Sequence, residues 1–238
     1  MNATATAKTL QTAAEPRLLP AALAFTAGFV DTLGFVALFS FFTAHVTGNF
    51  VVLGSALTQP LHGLVAKVLA LPMFIIAVGA ARLYGRSLDR RGLAAAPRFL
   101  ATQAVFLAVF MVLGLLAAPM TDGDSPLAVV TALCGVVAMG IQNAASRTVF
   151  ANLSPTTVMT GNVTQLVIDC MDVLANSSAP EAPALRARIK RFWPPVLAFA
   201  AGAAGGALGY KLAGFLSLLM PTAIVLGLAA AKPTQPAR

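Results

Sequence analysis

Charge is scarce in this sequence. Only 10% of its 238 residues are charged, while 58% are hydrophobic. Soluble domains carry about a quarter charged residues, so a water-facing globule is excluded. Acid is scarcer still: eight Asp and Glu stand against sixteen Lys and Arg, a net charge of +8. There are two cysteines and two histidines. Cys134 and Cys170 both fall in apolar runs, which argues against a disulfide, and no His or Cys has metal-ligand spacing. No glycine-rich phosphate loop is followed by Lys and Ser or Thr, and no nucleophile elbow occurs. These absences point away from an enzyme, a metal site or a bound cofactor. The positive charge does not point to nucleic acid either. It gathers in two short stretches flanked by apolar runs, as membrane proteins mark their cytoplasmic side.

What is present is a series of apolar runs near 20 residues long, the length at which a helix spans a bilayer core. The lipid bilayer is therefore the first expected partner. Four runs occupy residues 18–42, 48–58, 64–84 and 99–118, and four more repeat the order at 127–150, 161–174, 193–212 and 215–231. The second run has eleven residues, about 16 Å as helix. That is too short for a core about 30 Å thick. Arg82, Arg86, Arg90, Arg91 and Arg98 form one basic cluster, and Arg186, Arg188, Lys190 and Arg191 form another. Both face the cytoplasm only if the short runs dip into the membrane and return.

This reading predicts an all-α membrane fold with six transmembrane helices and two short re-entrant half-helices, both termini cytoplasmic. Three crossings per half make the halves insert oppositely, an inverted 3+3 repeat. Residues 1–17 read as a disordered tail without the core or cleavage site of a signal peptide. Residues 18–118 form the first half and 127–231 the second. The extracytoplasmic loop 119–126 joins them, and 232–238 form a C-terminal tail.

The repeat is also visible as text. Thr47-Gly48-Asn49 and Thr160-Gly161-Asn162 stand at corresponding places in the two halves. Gly28 precedes the first much as Gly140 precedes the second. Pro72 lies seven residues before Gly79-Ala80-Ala81, and Pro195 seven before Gly202-Ala203-Ala204. Thr and Asn suit helix starts as capping residues, and Gly allows close backbone approach. Two such starts are expected to meet near mid-membrane, where their unpaired N–H groups would face a solute. The alternative is a pair of capped kinks.

Asp31 sits inside an otherwise apolar segment, where a carboxylate is costly unless paired, hydrated or protonated. It reads as a proton, cation or solute site, or as a satisfied interhelical partner. Asn143 is its neutral counterpart. Gln142 and Asn143 are polar within the fifth run, and Asn143, Ser146 and Arg147 share a face. Arg147 reads equally as path lining or as an anchor at the helix end. His45, on the re-entry segment, is a titratable candidate or an exposed loop histidine. Gln165, Asp169 and Asp172 share a face after the second tripeptide, and the two acids are expected to pair with the nearby arginines. Gly202, Gly205, Gly206 and Gly209 have small-residue spacing that suits helix packing or a homo-oligomer.

The pattern Gly28-Phe29-Val30-Asp31, Phe42-Thr43-Ala44-His45-Val46-Thr47-Gly48-Asn49 and Leu53-Gly54 resembles the opening signature of the YoaK family. Thr160-Gly161-Asn162 and the overall length are similar to that family too. The resemblance covers about residues 18–231. It implies a multi-spanning bacterial inner-membrane protein of unassigned function, often described as a permease. The sequence thus leads to a small-solute transporter or channel with its site at the repeat interface. The rival is a non-transporting membrane scaffold or assembly protein.

Overall fold

The computed structural model describes residues 18–231; the expected tails, 1–17 and 232–238, lie outside the described residues. Eight helices follow one another: α1 Leu18–Ala37, α2 Gly48–Ser55, α3 Leu64–Arg90, α4 Ala95–Ala117, α5 Pro126–Arg147, α6 Thr160–Ala175, α7 Ala182–Ala213 and, after a 3-10 turn at Gly214–Leu218, α8 Leu219–Ala230. No strand occurs among the described residues. Among the described residues, five stretches are long and apolar enough to cross a membrane: α1, α3, α4, α5, and the 49-residue stretch Ala182–Ala230.

Apolar runs locate the helices but not their ends. The second basic cluster, expected in a loop before residue 193, lies instead on the first turns of α7, which begins at Ala182. Likewise α3 continues to Arg90 and carries Arg82 and Arg86. Arg and Lys are good helix formers, so helices run on past the apolar stretch that identifies them. The last expected run opens as a 3-10 turn and becomes α8 only at Leu219, while Gly214 (φ 56°) ends α7 just before it. By contrast, α5 starts where its sequence says it should. Ser125 caps it by accepting from the Ala128 N–H, and Pro126 takes the first turn.

The helices pair across the two halves. The first helix of each half packs on the third helix of the other: α1 on α7 and α5 on α3. The fourth helices follow the same exchange, α4 on α5 and α8 on α1, and α4 meets α8. The short helices stay local, α2 on α3 and α6 on α7.

Small residues set these registers. A Cβ at Gly202 would collide with the Phe25 carbonyl, one at Gly206 with the Phe29 carbonyl, and one at Gly28 with the Phe199 carbonyl. Residue numbers rise together along this seam, so α1 and α7 are parallel. Gly205 and Gly209 face the Phe29 ring. All four glycines of the α7 stripe thus pack within their own chain.

In the other pair, Gly140 of α5 faces Phe74 and Ala77 of α3. At the start of α3, the Gly63 and Val65 N–H groups donate to Asp124, just ahead of α5, at 3.1 and 2.8 Å. These helices are parallel too. Helices α1 and α5 run oppositely. Gly135 lies against Thr43, which is bonded to Asp31, whereas Gln142, two turns further along, donates to the Leu23 carbonyl at 2.8 Å.

Candidate functional site

The chain leaves α1 through Phe39 and Ser40, both with left-handed φ (55° and 62°). This reverses its direction, and residues 41–45 run back alongside the helix. Gly34 makes room for the return, facing Thr43 and the Phe41 carbonyl. The returning strand wraps the buried Asp31 carboxylate. Oδ1 accepts from Ala44 N at 2.7 Å, His45 N at 3.3 Å and Thr43 Oγ1 at 3.3 Å. Oδ2 meets His45 Nδ1 at 2.6 Å. The two residues that sequence separated, Asp31 and His45, are therefore one acid–imidazole pair.

The pair is one-sided in its access. The Asp31 side chain is 7% exposed and that of His45 33%. The imidazole stands edge-on to Phe42 and to Phe199 of α7, with ring centroids at 6.4 and 5.6 Å. Asp31 engages Nδ1, which leaves Nε2 as the nitrogen that can meet a solute or a proton.

The tripeptides work differently from the expected caps. Thr47 and Met159 hold the N-cap positions of α2 and α6, and neither makes a side-chain cap bond. Instead Asn49 reaches back seven residues. Its Oδ1 accepts from Phe42 N and its Nδ2 donates to Phe42 O, both at 2.9 Å. Asn162 repeats the reach, donating to Pro155 O at 2.8 Å. The Oδ1 bond has no counterpart, because proline carries no N–H to donate. A non-helical strand buried among helices must find partners for its own backbone, and a carboxamide offers a donor and an acceptor to a single residue. In both copies the Asn is buried and the Thr exposed. Gly161 is exposed and Gly48 half-buried, facing the Phe42 ring.

The second half echoes the first around Asn143. Thr157 Oγ1 donates to Asn143 Oδ1 at 2.8 Å, the neutral analogue of the wrap around Asp31. Gln142 is engaged on all sides: it accepts from Gln103 at 2.7 Å and donates to Leu23 O and to Thr156 Oγ1 at 3.1 Å. The buried hydroxyls of Thr26 and Ser154 have no hydrogen-bond partner among the described residues. Arg147 ends α5, exposed, and joins none of these bonds.

Several residues escaped the sequence reading. Gln103 is the buried amide of α4, legible as a polar residue inside an apolar run. Lys67 is equally legible four residues into α3; it is 1% exposed and donates to His62 O and Gly63 O at 2.8 and 3.1 Å. Asp124 looked like a solvent loop residue, since only the fold brings it to the start of α3.

Asp169 meets the basic cluster as expected. Its buried carboxylate receives Arg188 Nε at 2.6 Å and Nη2 at 2.5 Å, and Gln165 Nε2 at 2.7 Å. The Arg188 hydrogen bonds pull this carboxyl below its usual range; burial opposes them and Gln165 adds to them. A carboxyl depressed in the fold adds stability above its unfolded pKa of about 3.9, and that stability is lost as pH falls through the folded value. Asp169→Asn is expected to lower the thermal midpoint at neutral pH and to flatten its decline below about pH 4. Parallel acid profiles for the two proteins would remove the pair from the account.

A separate cavity of about 370 Å³ lies between α3, α4 and α5, lined by Ala77, Ala81, Tyr84, Phe99, Thr102 and neighbouring apolar residues. None of the sequence-predicted site residues lines it.

These features define a polytopic helical membrane protein in which a buried carboxylate of the first helix is paired with an imidazole on the segment that follows it. The chain belongs to the family described as Protein of unknown function (DUF1275), whose model matches residues 19–231. It is 34% identical over 149 residues to the UPF0700 transmembrane protein YoaK of Bacillus subtilis (strain 168). That match covers 62% of this chain and 64% of the relative. No solved structure matches the chain.

Proposed function

We propose that this protein is a small-solute transporter or channel of the bacterial cytoplasmic membrane, with its path at the junction of two inverted halves. The reading has six crossings and two re-entrant segments, and it invokes no enzymatic step, cofactor or nucleic acid. The turn after α1 supports the first re-entry. The Phe39 ring pairs with His62 at 5.9 Å and abuts Gly63 and Gly123, so the chain leaves α1 and enters α3 at one end of the bundle. The parallel register of α1 and α7 supports the second, since Gln142 of α5 lies level with Leu23 near the start of α1. The opposed directions of α1 and α5 support the inversion. The stretch Ala182–Ala230 is 49 residues long and broken at Gly214. As helix it would reach about 74 Å, room for two crossings of a core about 30 Å thick. The basic helix ends support cytoplasmic termini.

The observation that carries the reading is the Asp31–His45 pair. An ionisable pair inside the apolar body of a membrane protein is costly and marks ion and solute pathways. Asp31 orients the ring, and Nε2 is the group that exchanges with the path. The test is flux in reconstituted vesicles across a panel of amino acids, organic anions and polyols, with a trapped pH-sensitive dye reporting protons. His45→Gln is expected to reduce flux at least tenfold and remove any proton movement coupled to it. Unchanged flux in that variant would exclude His45 from the path.

One observation favours the rival, a non-transporting scaffold. The buried carboxamides of Asn49 and Gln142 bond to their own chain, which suits a role in holding the fold together. If no panel member crosses the membrane through the wild-type protein, the scaffold reading replaces transport.

A further inference from the structure

The cavity between α3, α4 and α5 combines two features of opposite character. Its walls are alanine and aromatic side chains, with Ala80 and Tyr84 on the exposed rim. Its volume, about 370 Å³, falls in the range of small-ligand sites, about 300–1,000 Å³. At one end the chemistry changes. Thr102 lines the wall, and Arg98 lies four residues before it, on the same face of α4 one turn nearer the helix start. Arg98 Nη1 donates to the Ala94 carbonyl at 2.7 Å, which holds the guanidinium at the beginning of α4. No side chain caps that beginning. A cation at a helix N-terminus opposes the helix dipole, and an anion there would relieve both.

The surrounding charge has one sign. Arg82, Arg86, Arg90, Arg91 and Arg98 face a single acid, Asp89, and none of them forms an ion pair among the described residues. Tyr84 stands over Phe99 at the rim, 39% exposed, with ring centroids 5.8 Å apart. A hydroxyl-bearing ring beside a basic cluster is the arrangement of a membrane–water boundary. An apolar slot whose Thr102 end lies one helical turn from Arg98, a guanidinium with no ion-pair partner among the described residues, is complementary to a lipid with a negative headgroup, and basic pockets between membrane helices bind such headgroups.

We propose that this cavity binds an anionic phospholipid, with one acyl chain against Ala80, Ala81 and Phe106 and the phosphate against Arg98. The site is separate from the Asp31–His45 pair and does not depend on transport. The experiment uses the purified full chain in detergent. Thermal midpoints are measured with added phosphatidylglycerol, with phosphatidylcholine, and with inorganic phosphate, and native mass spectrometry counts retained lipid. Phosphatidylglycerol is expected to raise the midpoint and to remain bound at one molecule per chain. Phosphatidylcholine is expected to act at least tenfold more weakly, and phosphate alone to have no effect. Arg98→Gln should abolish the preference for the anionic lipid, and Ala80→Phe, at an exposed rim position, should block retention without altering the lipid-free midpoint. Equal shifts with both lipids, an equal shift with phosphate alone, or an unaltered preference in Arg98→Gln would overturn the proposal.

Discussion

Asn49→Leu is expected to destabilise the protein by about 3 kcal/mol, because it leaves the Phe42 N–H and carbonyl without partners beside α1. For a chain of this length that is a fall in thermal midpoint of roughly 6–12 °C. The equivalent Asn162→Leu removes one bond to the chain's backbone where Asn49→Leu removes two, since Pro155 offers only a carbonyl. Its loss should be about half as large. Thermal unfolding of the two variants in one detergent measures the ratio directly. Equal losses would mean that the carboxamides do not hold the loops in the way described. The comparison also bears on function. A flux defect in Asn49→Leu follows from a displaced loop, so the exposed Thr47 and Thr160 and the half-exposed His45 are the cleaner probes of a path.

The second large effect contrasts two glycines that occupy corresponding places in the repeat. Gly202→Ala is expected to destabilise by about 3 kcal/mol, the upper part of the range for overpacking, because its methyl group meets the backbone of Phe25. Backbone cannot rotate away as a side-chain tip can, so α1 and α7 must separate. Gly79→Ala meets nothing within 4 Å. It should be neutral or stabilise by up to about 1 kcal/mol through helix propensity. A midpoint for Gly202→Ala within a degree or two of wild type would show that the α1–α7 seam is looser than the register implies.

The membrane class and most of the helices were legible because apolar runs of bilayer length have few other uses. The matched tripeptides and proline–glycine spacings stand in the sequence as text, and the buried Asn49 and Asn162 make the same seven-residue reach. The pairing of Asp31 with His45 was not. It depends on a reversal at Phe39 and Ser40, and neither residue is a glycine or asparagine that would announce a left-handed turn. Asp31 and His45 were therefore each read separately, Asp31 as a site or an interhelical partner and His45 as a titratable candidate or a loop histidine, though they lie only fourteen positions apart. The role of the tripeptide asparagines was misjudged for a related reason. Capping is local and follows from adjacent sequence, whereas a carboxamide binding backbone seven residues earlier requires knowing that this backbone is buried. Lys67 and Gln103 stood in plain view, each a polar residue inside an apolar run.

The clasp around Asp31 also bears on how the chain is made. Helix α1 leaves the ribosome well before its partner α7, which follows about 170 residues later. At about 5–20 residues per second, that delay is roughly ten to thirty seconds. Through it, α1 must lodge in lipid with a carboxylate inside. The groups that satisfy Asp31 arrive with residues 43–45, within the next few seconds of synthesis. The early hairpin thus lets a charged first helix wait in the bilayer for a neighbour that does not yet exist.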